Sequence, residues 1–535
     1  MAPVGVPRLR FAVFADQPGQ PRWMVEALAR AAAGEHAELV LVATAAESAH
    51  AATRAAIETP LWRAYAALDE RLFGSRGRWI APSDVTRLVS PQRRLALDAD
   101  DAAWRERAAA AGLDVIFVLG DVDDARLAGL ARHGTWRFCF GDAHEACGSR
   151  AVLRDVMEGR EVMASGLRIH RGKGQPDRVA CLSWARAYPF SPAKSRGALF
   201  AKTADFLARA LRDLHAQGET WFDAATLPAS ERAPVAFRPG VVDMAKLGLR
   251  VAKRATQKAL TVEEWSLAYR FGAGEAFDGS LDGFHHLHPP KGGFWADPFP
   301  LERDGRHYIF FEELPYGASR AHISVIEVDR EGRATAPRKV LERDYHLSYP
   351  FLVEEDGELY MIPETADNAT VEIYRCTDFP CTWKLERVLL RGLRCADATL
   401  HREGDRWWMF ATATRPGGGG DINDELHLFS AERLLGEWTS HRRNPVKSDV
   451  RSARPAGGLY RSGGSLYRPG QIGAPLYGSG IALHRVTRLT TEDYEEQEDA
   501  RIVPPAGPFL GIHTLNRAGD LIVTDTFRRR ARFAA

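Results

Sequence analysis

The chain has 535 residues, more than one hydrophobic core usually supports, and its 71 basic and 70 acidic residues leave a net charge of +1. That balance excludes a global field for nucleic acid or an acidic polymer, and no basic-aromatic stripe marks a nucleic-acid interface. No stretch approaches the roughly 20 apolar residues of a membrane span, and Met1-Ala-Pro-Val-Gly-Val-Pro lacks the basic and apolar regions of a secretory leader, so a cytoplasmic protein is expected. The cysteines, at 139, 147, 181, 376, 381 and 395, form no usual metal-ligand spacing. Cys376 and Cys381 are the nearest disulfide candidates, with reduced, buried thiols the preferred reading.

Residues 1–220 read as an α/β domain. Leu9-Arg-Phe-Ala-Val-Phe-Ala, Ala37-Glu-Leu-Val-Leu-Val-Ala and Leu113-Asp-Val-Ile-Phe-Val-Leu-Gly120 are buried-strand runs, and Trp23 to Ala33 has helical spacing. Strands alternating with helices predict a parallel sheet. Alanine and arginine richness between residues 25 and 57 reads as a solvated helix face. The order of pieces over roughly residues 9 to 215 resembles the formyltransferase fold of methionyl-tRNA and sugar-nucleotide N-formyltransferases. The stretch Asp114-Val-Ile-Phe-Val-Leu-Gly, Leu127 to Gly134 and Thr135-Trp-Arg-Phe-Cys-Phe-Gly-Asp142 carries the resemblance. In that family a glycine leads into an Asn-x-His pair that polarises the formyl carbonyl. Gly134 keeps its place, but Arg137 and Cys139 stand at the Asn and His positions. A thiol does not replace imidazole as a proton shuttle. The resemblance therefore implies a degenerate centre on a retained fold, and formyl transfer with a reduced folate near Arg137 and Cys139 ranks last among the functions considered.

Residues 221–261 read as a linker. Thr226 to Pro239 is a Pro- and Ala-containing connector, and Val241 to Leu260 an amphipathic helix with Val242, Leu247, Leu249, Val251 and Ala255 apolar and Lys246, Arg250, Lys253, Arg254 and Lys258 basic. Two roles stand open for residues 241–260, an inter-domain brace, which is preferred, and a peripheral contact with the anionic inner membrane. Glu264-Trp-Ser-Leu-Ala-Tyr-Arg270 reads as a first propeller strand. His285, His286 and His288 follow, but neighbouring side chains on a strand point apart, so no metal site is expected there.

Residues 262–535 carry a phrase of strand, Gly-containing turn and aromatic-rich strand, repeated at roughly 50-residue spacing, inside the range of propeller repeats. Copies open at Trp295-Ala-Asp-Pro-Phe, Tyr349-Pro-Phe-Leu-Val, Ala396-Asp-Ala-Thr-Leu, Arg454-Pro-Ala-Gly-Gly and Gly511-Ile-His-Thr-Leu. An all-β five-bladed β-propeller is expected. Equivalent positions then place Asp297, Pro350, Asp397, Arg454 and His513 around one axis, with Glu312, Glu313 and Glu364 closing second strands nearby and Arg468 and Gln471 supplying donors. Turn-capping aspartates are the alternative for any single residue. Gly417 to Gly420 is a loop of the third blade; its flanks do not suit a phosphate-binding loop.

The Trp-Ala-Asp-Pro-Phe entry and repeat layout resemble five-bladed glycosidases of the arabinanase and xylosidase type. There a first-blade Asp is general base, a third-blade Asp tunes a pKa and a fourth-blade Glu is general acid. Asp297 and Asp397 match the first two, while Arg454-Pro455 stands where the acid belongs. A closer resemblance, over about residues 262 to 530, is to the N-terminal propeller region of plant glucosamine inositolphosphorylceramide transferases and its bacterial relatives. Phe294-Trp-Ala-Asp-Pro-Phe, Tyr349-Pro-Phe, Ile362-Pro-Glu-Thr, Ala396-Asp-Ala-Thr-Leu, Gly436-Glu-Trp, His441 to Pro445 with Asp449, Arg454-Pro-Ala-Gly and Arg468-Pro-Gly-Gln471 carry it. The plant enzymes have a separate glycosyltransferase domain after the propeller, so the resemblance implies propeller identity and a sugar or glycolipid connection.

The leading expectation is glycosyl transfer in surface polysaccharide or glycolipid biosynthesis, on a sugar, nucleotide-sugar or lipid-linked glycan, with no cofactor or metal. Asp297 is general base or nucleophile, Glu364 the acid and Asp397 the tuning charge, while Arg454, His513 and Arg468 form a phosphate or carboxylate clamp. Trp295, Glu313, Tyr349 and Gln471 are further substrate-binding candidates. Two alternatives remain open. One is a non-catalytic glycan-binding propeller in which Trp295, Tyr349, Trp407 and Trp408 stack on sugar rings; the other is a glycoside hydrolase.

Overall fold

The computed structural model describes residues 6–45, 59–74, 80–97, 101–141, 151–172, 174–228, 237, 239–272, 279–290, 292–414 and 421–532. Asp142, Cys147 and the loop Gly417 to Gly420 lie outside them. The chain divides into two compact units, Met1–Ala252 and Lys253–Ala535, with the division inside the Val241–Leu260 helix. Cys376, Cys381 and Cys395 are free thiols, so the Cys376–Cys381 disulfide is not formed.

In the first unit, Leu9–Ala15 is apolar from residue 11 onward because both of its faces are covered. Phe11, Val13 and Ala15 enter one core with Phe117, Leu119 and Trp136, while Ala12 and Phe14 enter another with Ile116 and Val118. The eight-stranded sheet runs in the order Thr226–Pro228, Arg178–Arg186, Val162–His170, Thr135–Phe140, Val115–Leu119, Leu9–Ala15, Ala37–Thr44, Arg94–Ala96. The last five strands are parallel, and the first three add antiparallel. The sheet is therefore mixed, and the expected parallel pairing holds for five of its eight strands. Val162–His170 and Arg178–Arg186 are joined by a link too short for a crossover, so they pair antiparallel. The expected connector begins as a strand, since Thr226–Pro228 closes the sheet edge. Arg137 donates to Asp124 at 2.7 Å and to the Val122 carbonyl at 3.2 Å, and Cys139 is buried against Val179.

The Val241–Leu260 helix has the expected limits. Met244 and Leu247 pack with Trp62 and Met157, and Arg250 donates to the Met157 carbonyl at 2.8 Å, anchoring its first half in the first unit. At its other end Arg532 donates to the carbonyls of Lys258 and Ala259, both at 3.1 Å, which satisfies acceptors that a helix C-terminus otherwise leaves unpaired.

The second unit is a five-bladed propeller. Blade one comprises Gly293–Arg303, Arg306–Pro315, His322–Val328 and Arg338–Leu341; blade two comprises Ser348–Glu355, Glu358–Glu364, Thr370–Asp378 and Thr382–Arg391. Blade three contains Arg394–Glu403, Arg406–Thr414, Glu425–Ala431 and Thr439–Ser440, and blade four contains Tyr460–Ser462, Ser465–Gln471, Ile481–Leu489 and Tyr494–Ile502. Blade five joins the two ends of the unit: Thr261–Phe271 pairs with Leu521–Ala531 from Thr261↔Ala531 to Phe271↔Leu521. The strand expected to begin the propeller thus closes the ring. The first two strands of each blade meet in a two-residue turn, and in Asp304-Gly305, Asp356-Gly357 and Gly463-Gly464 both residues have positive φ, as a type I′ hairpin requires.

An apolar core fills each gap between neighbouring blades. Phe310 and Met361 lie between one and two, Ile362 and Trp407 between two and three, Trp408 and Tyr494 between three and four, Ile481 and Ile522 between four and five, and Leu267 and Phe311 between five and one. Polar bonds also cross the boundaries. The Tyr349 hydroxyl bonds Thr399 Oγ1 of blade three at 2.8 Å and accepts the Gly457 N–H at 2.7 Å, while Gly458 N–H and the Pro298 carbonyl both bind Asn516. Tyr349→Phe strands these partners in a dry interior. It should destabilise the protein by about 1–3 kcal/mol, read as a lower thermal midpoint, and an unchanged midpoint would show that the hydroxyl is not a staple.

Candidate functional site

Three blades bend their first strands at the same place. The pairing register breaks between Ala296 and Phe299, Ser348 and Phe351, and Ala396 and Thr399. Asp297, Tyr349 and Asp397 sit at these breaks with φ of +52°, +45° and +54°. A bulge re-aims the side chain it carries, and left-handed backbone at residues other than glycine costs on the order of 1–3 kcal/mol each. The blade-two equivalent of Asp297 and Asp397 is therefore Tyr349; the expected Pro350 falls one position late. Opposite these breaks, Glu312, Glu364 and Thr412 pair with Ala296, Ser348 and Ala396.

One half of the resulting cluster centres on His513. Its Nε2 lies 3.3 Å from Asp297 Oδ1 and its Nδ1 lies 2.6 Å from Asp525 Oδ2. Asp297 also accepts the Tyr349 N–H at 3.2 Å and the Thr514 hydroxyl at 2.7 Å, and Asp525 accepts the backbone N–H groups of Asp297, His513 and Thr514. Burial alone would lower the His513 imidazole, but Asp525 and Asp297 outweigh it and raise it to about 9. Burial raises Asp297, with His513 opposing and Asp397, Glu312 and Asp525 reinforcing.

The other half centres on Arg454, which clamps Asp397 with Nε at 2.5 Å and Nη2 at 2.9 Å and reaches Glu364 at 3.1 Å and Asn423 at 2.7 Å. Gln471 donates to Asp397 at 2.7 Å. Burial raises the Glu364 carboxyl to about 8; Arg454 opposes this, and Asp397 adds to it by its charge and by a shared hydrogen bond. The side chains of Glu364 and Arg454 are 14% and 12% exposed while that of Asp397 is at 0%, so this pair forms the accessible edge of the cluster. Tyr477 joins the halves, its ring 5.4 Å from the Arg454 guanidinium and 5.3 Å from His513. The partly exposed Trp265 lies 4.2 Å from His513. His346 sits 3.1 Å from Glu312 and, although burial opposes it, is raised to about 8 by that carboxylate.

Other expected residues lie elsewhere. Glu313 neighbours Glu312 on a strand and so faces the opposite way; it accepts from Trp295 at 3.2 Å and Ser324 at 2.6 Å and sits 3.2 Å from His322. Trp295 is buried in the core between blades five and one. Arg468, three residues before Gln471 on one strand, also faces away and is buried on Glu496 at 2.7 Å. Trp407 and Trp408 are core residues of two different gaps, so neither offers a ring to a sugar. The expected anion clamp is likewise corrected, because Arg454, His513 and Arg468 are each already paired with carboxylates. The three-histidine segment splits as strand alternation requires, with His285 on Tyr269 and His286 stacked on Phe509. Sequence reasoning missed Asp525, Tyr477, Trp265, Asn423 and His346. Asp525 was within reach, since it lies in the second strand of the fifth repeat.

Among the described residues one group has metal-ligand geometry: Asp297, His513 and Asp525 offer ligand atoms within 4.8 Å of one another. A cation there would take the place of the imidazole proton.

Residues 288–504 match the family model described as Glucosamine inositolphosphorylceramide transferase 1, N-terminal. Plant relatives carry that name without the domain qualifier. The protein of Oryza sativa subsp. japonica is 35% identical over 216 residues, 39% of this chain and 29% of its own; that of Arabidopsis thaliana is 33% identical over 208 residues, 38% of this chain and 27% of its own. The chain thus spans under a third of the length of these relatives. Among solved structures, a family 117 glycoside hydrolase of Zobellia galactanivorans aligns at a TM-score of 0.34 and 9% identity over 50% of this chain and 90% of that one. An α-L-arabinanase of Cellvibrio cellulosa aligns at 0.30 and 13% identity over 40% and 78%.

The raised His513 gives a signed pH dependence. Its contribution to stability is fully present below the unfolded value of about 6.5 and is lost as pH rises through about 9. Denaturant midpoints of the wild type should fall across that window, in which Glu364 and His346 also titrate, and His513→Gln should remove the part of the fall between about pH 8 and 9. An equal fall in the variant would show that the imidazolium does not hold the cluster.

Proposed function

We propose that the propeller is the working domain of a carbohydrate-active enzyme that moves a glycosyl group to or from a lipid-linked or phosphorylated glycan in surface polysaccharide or glycolipid biosynthesis. The observation that carries this reading is the pair of raised carboxyls on one axis, with Glu364 at the accessible edge and Asp297 beside His513. A carboxyl raised to about 8 still holds its proton at neutral pH. Glu364 delivers that proton to the leaving glycosidic oxygen as the bond to the anomeric carbon breaks. Asp297 takes the proton of the attacking hydroxyl as the new bond forms, and the neighbouring imidazolium stabilises its charged form. Asp397 is a positioning residue, fixing Arg454 beside Glu364 and keeping the Glu364 carboxyl raised.

Because Arg454 is neutralised within the cluster, recognition falls to sugar hydroxyls, met by carboxylates and amides, with Trp265 and Tyr477 as ring platforms. The plant relatives support the reading through the sugar and glycolipid in their name, and the matched residues 288–504 include Asp297, Glu364, Asp397, Arg454, Gln471 and Tyr477. A second reading, a glycan-binding propeller without turnover, is favoured by the near-complete burial of Asp297 and Asp397, whose oxygens already have protein partners.

A thermal-shift screen against nucleotide sugars, sugar phosphates, simple glycans and a reduced folate, followed by turnover on the stabilising compounds, separates these readings. Glu364→Gln and Asp297→Asn should each cost about 10²–10⁴-fold in kcat, and Glu364→Gln should keep the ligand-induced shift. Saturable binding by the wild type without turnover would leave the binding module, and full turnover by either variant would remove its assigned role.

A further inference from the structure

The Val241–Leu260 helix has more apolar surface than its anchorage uses. Met244 and Leu247 are buried and fix one side of it. At 100° per residue, Val241, Ala245, Leu249 and Ala252 form a different stripe, widened by Val242 and Leu260, and these side chains are exposed, Val241 at 78% and Leu249 at 72%. Lys246 and Lys253 border the stripe, and Arg254 and Lys258 add two more exposed cations; Asp243 is the helix's one acidic residue. A helix that presents a second apolar stripe edged by lysines matches the layout of an interfacial helix, in which the stripe enters the acyl boundary and the lysines meet lipid phosphates. The Pro60–Phe73 helix shares the cluster of Trp62, Met157, Met244 and Leu247 and exposes its own stripe, Leu61, Leu68 and Leu72 at i, i+7 and i+11, so the uncovered apolar surface extends to a second element of the first unit.

We infer that this surface docks on an anionic lipid bilayer. The cationic border decides the occupant, since an uncharged apolar partner would leave the lysines unmatched while an anionic headgroup layer engages stripe and border together. The inference stands apart from the catalytic reading, because docking requires no turnover, and it adds a location at which a lipid-linked glycan would be met.

The test is co-sedimentation of the full chain with phosphatidylcholine vesicles with or without phosphatidylglycerol, at low and high salt. Expected is binding to the phosphatidylglycerol vesicles that weakens with salt, is abolished in Val242→Glu/Leu249→Glu, and falls at least about tenfold in Lys246→Glu/Lys253→Glu. All substituted side chains are exposed, and thermal unfolding of each variant checks the fold. Absence of wild-type binding, or binding undiminished in both variants, overturns the inference. A concentration-dependent dimer that Leu249→Glu dissociates, with no vesicle binding, overturns it in favour of a second copy of the chain on the stripe.

Discussion

Five sheets closing on one axis bring their inner strands together where little water remains, so the polar groups there have to find partners among themselves, most of them across a blade boundary. Asp297 of blade one meets His513 and Asp525 of blade five and the Tyr349 N–H of blade two. Asp397 of blade three meets Arg454 and Gln471 of blade four, and Arg454 turns back to Glu364 of blade two. Blade five pairs its own His513 with Asp525, and the axial charges of the other blades are met across a boundary. Stripping a carboxylate or a guanidinium of water costs several kcal/mol, and only a well-aligned partner with further hydrogen bonds offsets it. The ring and the cluster are therefore one structure, and the two-toothed contact of Arg454 with Asp397 is the joint where both would fail together.

The same constraint explains why protons are held at the axis. Among the described residues five carboxylates, Asp297, Glu312, Glu364, Asp397 and Asp525, face three cations, Arg454, His513 and His346. An excess of like charge in a dry site is relieved by protonation of the members with the weakest compensation. Burial raises Glu364, which shares Arg454 with the better-clamped Asp397, to about 8, and Asp297, which competes with Asp525 for His513, to about 7, so Asp297 is still about half ionised at neutral pH. The raised carboxyls are a consequence of how the ring is closed, and this is what makes them available for acid-base work.

Much of this was legible in the residues. The strand, turn and strand phrase recurs because each blade repeats one hairpin, and the Asp-Gly and Gly-Gly turns announce the type I′ geometry directly. The repeats also bring Asp297, Asp397, Arg454 and His513 to one axis. What failed was phase. Pattern alone does not show a bulge, so Pro350 was read where Tyr349 belongs, and strand alternation sends Glu313 and Arg468 away from neighbours that reach the site. Trp407 and Trp408 looked like ring platforms because aromatic composition does not distinguish a sugar-facing ring from one that fills the gap between two blades. Tyr477 and Asn423 lie in loops without period, and their roles come only from the fold that carries them. In the first unit the parallel strands announced themselves as unbroken apolar runs; the antiparallel half, with serine, glycine and arginine inside its strands, did not.

Tyr349 shows what the axis demands most clearly. Aspartate tolerates left-handed backbone better than most residues, so Asp297 and Asp397 bear their positive φ at modest cost, whereas a bulky aromatic at +45° is a true outlier. Glycine would remove that strain and aspartate would lessen it. Neither could carry a phenol across to Thr399 and Gly457, nor pack a ring edge-on against Phe299 at 4.7 Å. A third carboxylate at this position would add a negative charge to a cluster already short of cations. Tyrosine is the residue that fills the place, bonds two other blades and brings no charge, and the strain it stores is held by contacts on every side.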